Sequence, residues 1–251
     1  KELREDETTA MTPLWQQLSV ACQQIGKLQK DILRLSPSDL NMTKAFPAYI
    51  IIGGVRIQCG TSTIAVPILT TFPFAKPRLF RDVDQVASFL LRLIYAMPIG
   101  GIRLNIIDHA AVGAHGRYFN QLLDVSGDVV KLITVQDDIR GLLQELLTYM
   151  GDLAKTKFTG AVTSWMEYNK NNPTAPLPCT LLVIYSFKGW EYREVELLEL
   201  ILERGAQCGV FVVGLSDGLS GLDERLRKGI RPERFVVMPP DLGRSGFAYK
   251  K

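Results

Sequence analysis

The sequence is poor in cysteine, has no long apolar run and carries no large excess of either charge sign. Four cysteines occur in 251 residues and none forms a C-x-x-C pair, which favours a reduced, intracellular compartment. No apolar run approaches the roughly 18 residues that a membrane span needs, and the polar, acidic N-terminus is unlike a signal peptide. We therefore predict a cytoplasmic protein with no membrane partner. The net charge of +3 is too small to indicate nucleic-acid binding by itself.

Hydrophobic residues make up 47% of the sequence and charged residues 22%. This composition supports a sizeable core and excludes a chain that is disordered throughout. The length allows one large domain, or one domain with an arm. Because the sequence begins with Lys1 rather than methionine, we expect it to be a fragment of a longer protein.

Residues 1–40 are predicted to form a helical, coiled-coil-like arm. Apolar residues recur there at spacings of three and four, which is the seam of a heptad pattern. Two interpretations remain open: an amphipathic helix packed on its own domain, or a coiled-coil arm that continues upstream and binds protein partners or another copy of the chain. The seam consists of Met11, Leu14, Leu18, Ala21, Ile25, Leu28, Ile32 and Leu35.

Residues 41–76 are predicted to form a small β-rich unit. Residues 49–52 and 55–57 flank Gly53-Gly54, and a further strand follows at residues 63–67 after a turn-prone segment. They are interpreted as short strands or a hairpin, with Pro67 restricted to a sheet edge or a strand end.

Residues 77–251 alternate between short apolar strands and helices. Strands with few polar positions, each followed by a helix, predict a parallel α/β sheet with helices on both faces. Such sheets bind ligands at the carboxyl ends of their strands. Gly205 is predicted to cap the last helix. The predicted strands are 78–80, 102–107, 129–133, 180–185, 209–213 and 234–238, and the main predicted helices are 84–97, 137–170 and 195–203.

Four stretches between Val55 and Met238 resemble FtsK/SpoIIIE-type ATPase domains of the FtsK–HerA group. The resemblance is closest to large bacterial proteins that carry several such domains in tandem. It implies a RecA-like, P-loop-type parallel sheet, preceded here by the helical arm and the small β unit. The four stretches are residues 89–100 (FLLRLIYAMPIG), 102–113 (IRLNIIDHAAVG), 165–169 (WMEYN) and 204–210 (RGAQCGV).

The phosphate-binding loop that the resemblance calls for is missing. The signature G-x-x-x-x-G-K-[ST] occurs nowhere, and the only Gly-Lys pair, Gly26-Lys27, lies in the predicted arm. Between the strand and the helix where the loop belongs, the sequence has Arg81, Asp82 and Asp84 and no glycine. Carboxylates at a helix N-terminus repel a triphosphate and suit helix capping. The position is therefore interpreted as a degenerate loop.

The acidic strand end that would hold Mg²⁺ is also missing, because Tyr185 and Ser186 stand where the resemblance places a carboxylate. We expect no cofactor, and ATP with Mg²⁺ only if another domain supplies the loop. The leading hypothesis is a non-catalytic FtsK/SpoIIIE-like module for assembly or partner docking in a DNA-processing or defence protein. The alternatives are a part of an active DNA translocase and a degenerate module of a protein-secretion motor.

Two further groups of residues are candidate sites. Near strand ends lie Asp108, His109, His115 and Asp217, which are interpreted either as a metal site or as loop hydrogen-bonding residues. The basic residues are either contacts to double-stranded DNA, bound through the parent protein, or one solvated helix face. In an active motor, Arg117 and Arg225 are candidates for an arginine finger acting in trans. These basic residues are Arg117, Arg225, Arg227, Lys228 and Arg231.

Overall fold

The computed structural model describes residues 46–59, 62–98, 100–119, 129–216 and 234–238. The predicted arm, residues 1–40, lies outside the described residues. Contacts divide the described chain into two compact units, of which the first holds residues 51–59 and 62–70 and the second holds the remainder. The boundaries at residues 40 and 76 stay predictions.

A two-stranded sheet begins the described chain. It pairs β1 (Tyr49–Cys59) with β2 (Ser62–Thr71). The predicted interruption at Gly53-Gly54 is wrong, because β1 runs through both glycines as one strand. Glycine adopts extended conformations as readily as turn conformations, so pairing with β2 decides its state. Pro67 lies inside β2, which is tolerated because both strands of a two-stranded sheet are edges.

Six parallel strands form the sheet of the second unit, in the spatial order β5-β4-β6-β7-β3-β8. This confirms the predicted parallel α/β fold. The strands are β3 (Arg78–Phe80), β4 (Ile102–Ile107), β5 (Val130–Ile133), β6 (Cys179–Ile184), β7 (Val210–Leu215) and β8 (Val236–Val237). The helices are α1 (Val83–Ala96), α2 (Gln136–Thr156), α3 (Trp165–Asn171) and α4 (Tyr192–Arg204), with 3₁₀ helices at Gly116–Phe119 and Gly205–Cys208.

Helices cover both faces of this sheet, and the alternation of side chains along β7 shows how. Val210 and Val212 join the core that α2 and α4 form over one face. Phe211 points to the opposite face, where its ring lies 5.1 Å from that of Phe74. The Phe74 ring in turn contacts Phe89 of α1 at 5.9 Å between centroids. The strands are therefore buried from both sides, which explains their lack of polar residues.

Two predicted helix boundaries need correction. The helix predicted for residues 137–170 is two helices, since α2 ends at Thr156 and α3 begins at Trp165. Between them Gly160 has φ of +65°, and the Ser164 side chain accepts a hydrogen bond from the Glu167 N–H to start α3. Gly205 does occupy the cap position of α4, but with right-handed φ of −57°, and the chain continues into the 3₁₀ helix.

Within the described part of the chain, no helix combines the length and apolar character needed to cross a membrane.

Candidate functional site at the carboxyl edge of the sheet

Parallel pairing brings the ends of β4 and β6 side by side. Ile107 of β4 is in register with Ile184 of β6, so Asp108 and Tyr185 follow neighbouring strands at the same edge. On the other side of β7, Phe80 at the end of β3 is in register with Leu215. The predicted site positions after β3, β4 and β6 therefore share the carboxyl edge, where open α/β sheets bind ligands.

Only Arg81 and Asp82 connect β3 to α1. Asp82 is the N-cap of α1, and its Oδ1 accepts a hydrogen bond from the Gln85 N–H at 2.8 Å. The Gln85 Oε1 in turn accepts from the Arg81 N–H at 3.3 Å. Asp84 adds a second exposed carboxylate in the first turn. A carboxylate of the chain itself thus occupies the helix end that would bind an anion.

Replacing Asp82 separates its capping role from its charge. We expect Asp82→Ala to lower the free energy of unfolding by about 1 kcal/mol, because the Gln85 N–H loses its acceptor. Asp82→Asn should stay within a few tenths of a kcal/mol of the unmodified chain, since asparagine caps about as well as aspartate. Urea denaturation of the two variants checks this. Equal losses in both would mean that the charge, rather than the cap, stabilises α1.

The Asp108 side chain is buried, with 1% of its surface exposed, and it organises the loop that follows β4. Its Oδ2 accepts hydrogen bonds from the His115 N–H at 2.7 Å and the Gly116 N–H at 3.0 Å. Its Oδ1 lies 3.0 Å from Nδ1 of His115. The turn between them places Val112 at φ of +51°, a conformation that β-branched residues rarely adopt. Asp108 and His115 are thus hydrogen-bonding partners within this loop.

His109 points to a different partner. Its Nε2 lies 2.7 Å from the carbonyl oxygen of Lys188, in the loop after β6. Because a carbonyl only accepts, Nε2 carries the proton and donates. The structure thus separates the two histidines, with His115 bonded to Asp108 and His109 bonded to the β6 side. No group of three or more histidine, cysteine, aspartate or glutamate side chains suited to a metal occurs among the described residues.

The end of β6 carries no carboxylate. Tyr185 is buried, and its ring centroid lies 5.3 Å from that of His115. The Ser186 Oγ accepts a hydrogen bond from the Lys188 N–H at 3.1 Å. A phenol and a serine already used by its own turn provide no anionic ligand for Mg²⁺.

The basic candidates are placed only in part. Arg117 belongs to the 3₁₀ helix Gly116–Phe119 at this edge of the sheet. Asp217, which follows β7, lies outside the described residues, and so do Arg225, Arg227, Lys228 and Arg231.

Two of the motifs that carry the family resemblance contact each other. Trp165, at the start of the W-M-E-Y-N stretch, packs against Gly209 of the R-G-A-Q-C-G-V stretch, so that a Cβ on Gly209 would lie 2.5 Å from the Trp165 ring. Asn169 holds the segment that leads into β6, because its Nδ2 donates to the Leu177 carbonyl and its Oδ1 accepts from the Leu177 N–H. Both motifs therefore shape the fold around β6 and β7.

The thiol of Cys208 belongs to the core that α2 and α4 form with the sheet. It lies 3.9 Å from the Met150 carbonyl, and burial raises its pKa. Burial also raises the pKa of Cys179 to about 12. Both thiols therefore stay protonated near neutral pH, which does not suit a nucleophile.

The sequence did not reveal three polar residues near the carboxyl edge of the sheet: Gln136, Arg140 and Glu194. Gln136 donates from Nε2 to the Gly189 carbonyl, and Arg140 donates from Nε to the buried Glu194 at 2.8 Å. The one local signal was the pair Glu191 and Glu194, which forms a capping box at the start of α4.

A parallel sheet in this strand order with helices on both faces is the RecA-like fold of P-loop ATPase domains. Solved structures of FtsK/SpoIIIE-type ATPases share it. The pCW3 conjugation coupling protein TcpA matches with a TM-score of 0.51 and 12% identity, over 78% of this chain and 55% of that chain. EssC (ATPases 2 and 3) from Geobacillus thermodenitrificans matches with a TM-score of 0.58 and 13% identity, over 77% of this chain and 37% of that chain.

The cytoplasmic domain of the Thermomonospora curvata type VII secretion ATPase EccC matches with a TM-score of 0.56 and 12% identity, over 76% of this chain and 23% of that chain. At such identities the likeness concerns the fold alone. The matches span less than two thirds of each of these larger chains. No protein-family model and no curated protein matches the sequence.

Proposed function

We propose that this chain is a non-catalytic ATPase-like module that serves assembly or partner docking within a larger cytoplasmic machine. The observation that carries the proposal is the Asp82 carboxylate bonded to the Gln85 N–H at the start of α1. In a phosphate-binding loop, free backbone N–H groups and a lysine meet the phosphates at this point. Here the N-terminus of α1 meets a fixed negative charge, and the connection from β3 is too short to wrap a phosphate.

The second support comes from the end of β6. Mg²⁺ needs oxygen ligands with negative charge next to the phosphates. Tyr185 and Ser186 supply a phenol and a hydroxyl instead. Without the metal ligand and the phosphate cradle, the chain lacks its usual contacts to both the phosphates and the Mg²⁺ of a magnesium nucleotide.

Isothermal titration calorimetry with ATP and ADP in the presence of Mg²⁺ tests this proposal. We expect no saturable binding tighter than about 1 mM, which corresponds to about −4 kcal/mol. Asp82→Asn is a matched variant that removes the charge but does not supply a loop, and it should bind no better. A P-loop ATPase with an intact loop serves as the positive control. Micromolar, Mg²⁺-dependent binding by the unmodified chain would refute the non-catalytic assignment.

Two settings for the parent machine are part of the proposal, and the similar solved structures support them because one is a conjugation coupling protein and another a type VII secretion ATPase. One setting is an ATP-driven DNA translocase in which another domain holds the phosphate loop, and the other is a protein-secretion motor with degenerate tandem domains. In the first setting, double-stranded DNA is a partner through the parent protein, and residues 1–40 mediate self-association or protein contacts. Binding to double-stranded DNA that falls steeply with salt favours the first setting, and salt-insensitive or absent binding favours the second.

A further inference from the structure

The loop that joins β6 to α4, residues 185–191, is held from outside by three side chains. His109 donates to the carbonyl of Lys188, and Gln136 donates to the carbonyl of Gly189. Arg140 bonds Glu194 at 2.8 Å and Glu191 at 3.4 Å. We call His109, Gln136 and Arg140 the clasp. One member follows β4 and the other two lie in the first turns of α2, so the clasp reaches the loop from two elements that are far away in sequence.

Gly189 fits the clasp because of its backbone. It has φ of +79°, which glycine adopts without strain. A Cβ at this position would stand 3.1 Å from the Gln136 Oε1, closer than most such contacts. The absence of a side chain thus lets Gln136 lie directly against the loop.

The loop is also bonded on its inner side. The Trp190 N–H donates to the Phe187 carbonyl at 3.2 Å, and the Glu191 N–H donates to Glu194 Oε2 at 2.9 Å. The rings of Phe187 and Trp190 are both buried and lie 5.0 Å apart. The loop is therefore fixed by hydrogen bonds from the clasp on its outer side and by the packing of Phe187 and Trp190 on its inner side.

We propose that the clasp keeps this loop closed in the absence of nucleotide and thereby joins β4, α2 and α4 into one block. In P-loop GTPases the γ-phosphate and its Mg²⁺ order the switch segments, which are released after hydrolysis. In a module that binds no nucleotide, side chains of the chain itself take over that ordering. Only the idea that the clasp replaces a nucleotide rests on the proposed function. The hydrogen bonds of the clasp do not depend on it.

Hydrogen exchange of the loop amides, followed by mass spectrometry on the unliganded chain, tests the proposal. We expect the Trp190 and Glu191 amides to be protected, and we expect the double variant His109→Ala, Gln136→Ala to exchange there at least about tenfold faster. Each lost hydrogen bond is worth about a fivefold change in the opening equilibrium. Gln136→Glu is a second variant that keeps the side-chain shape but removes the donor, and it should accelerate exchange in the same direction.

Gln144→Ala is the matched control, because Gln144 is an exposed glutamine of the same helix, about two turns further along from Gln136. It should leave the loop amides unchanged. Fast exchange in the unmodified chain, or unchanged exchange in both clasp variants while they remain folded, would overturn the proposal. Adding ATP with Mg²⁺ separates the two proposals: a protected loop that responds to ATP refutes the non-catalytic function and leaves the clasp standing.

Discussion

Replacing Gly209 by alanine is expected to lower the free energy of unfolding by about 3–5 kcal/mol. Gly209 has φ of +74°, where a residue with a Cβ is strained. The added Cβ would also lie 2.5 Å from Cδ1 and 2.6 Å from Cγ of Trp165. Strain and overpacking each cost about 1–3 kcal/mol, and Trp165 is buried in a well-packed aromatic cluster that gives it little room to move.

Gly141→Ala provides the control. Gly141 lies inside α2, and nothing comes within 4 Å of a Cβ built there. Alanine should raise the free energy of unfolding by about 0.5–1 kcal/mol, because it favours the helix over the unfolded chain. Urea denaturation of both variants gives the comparison. If the two glycines responded alike, the contact between Gly209 and Trp165 would not be the reason for glycine at this position.

This contact gives the family resemblance a physical meaning. Trp165 and Gly209 lie far apart in the sequence, and each belongs to a motif that resembles FtsK/SpoIIIE-type domains. Together with Asn169, which brackets Leu177, they set how the chain enters β6 and β7. These contacts lie at the amino ends of β6 and β7, opposite the carboxyl edge that holds Asp108 and Tyr185.

The sequence was informative wherever a local pattern decides the structure. The six apolar strands predicted the parallel sheet, because strands that are buried on both faces have few polar positions. Asp82 was readable as a helix cap since capping depends on residues within one turn. The break between α2 and α3 was also readable, from Gly160 and from Ser164 with Glu167 three residues later, but the apolar stripe of α2 outweighed these signals.

Contacts between residues that are far apart in the sequence could not be predicted from it. Gln136 and Gly189 are separated by 53 residues, and His109 and Lys188 by 79. No spacing rule relates such pairs, because their meeting depends on the order of strands in the sheet. For the same reason, the sequence placed Asp108 at a strand end but did not show that its carboxylate bonds to His115 and Gly116.

Asp108 carries the second large expected effect. Asp108→Ala should lower the free energy of unfolding by about 3–5 kcal/mol, because it removes the acceptor of three hydrogen bonds. Two of these come from backbone N–H groups, and that of Gly116 is buried. A buried donor without a partner costs about 1–3 kcal/mol, and bonds to a charged group are the stronger kind.

Asp108→Asn should cost less, about 1–2 kcal/mol, and the reason lies in His115. The asparagine oxygen can still accept from both backbone N–H groups, and its NH₂ group then faces Nδ1 of His115. That ring can move its proton to Nε2 and accept at Nδ1, which restores the third bond without the charge. Nuclear magnetic resonance of the imidazole nitrogens would detect this change of tautomer.

Asp152→Ala serves as the reference in the same urea experiments, since Asp152 is exposed on α2. It should change the free energy of unfolding by less than about 0.5 kcal/mol. The order of losses should be alanine at 108, then asparagine at 108, then alanine at 152. Alanine at 108 leaves three donors without an acceptor, asparagine at 108 loses only the charge of the acceptor, and alanine at 152 removes an exposed side chain. An asparagine variant as unstable as the alanine variant, with the His115 proton still on Nδ1, would mean that the loop needs the carboxylate charge itself.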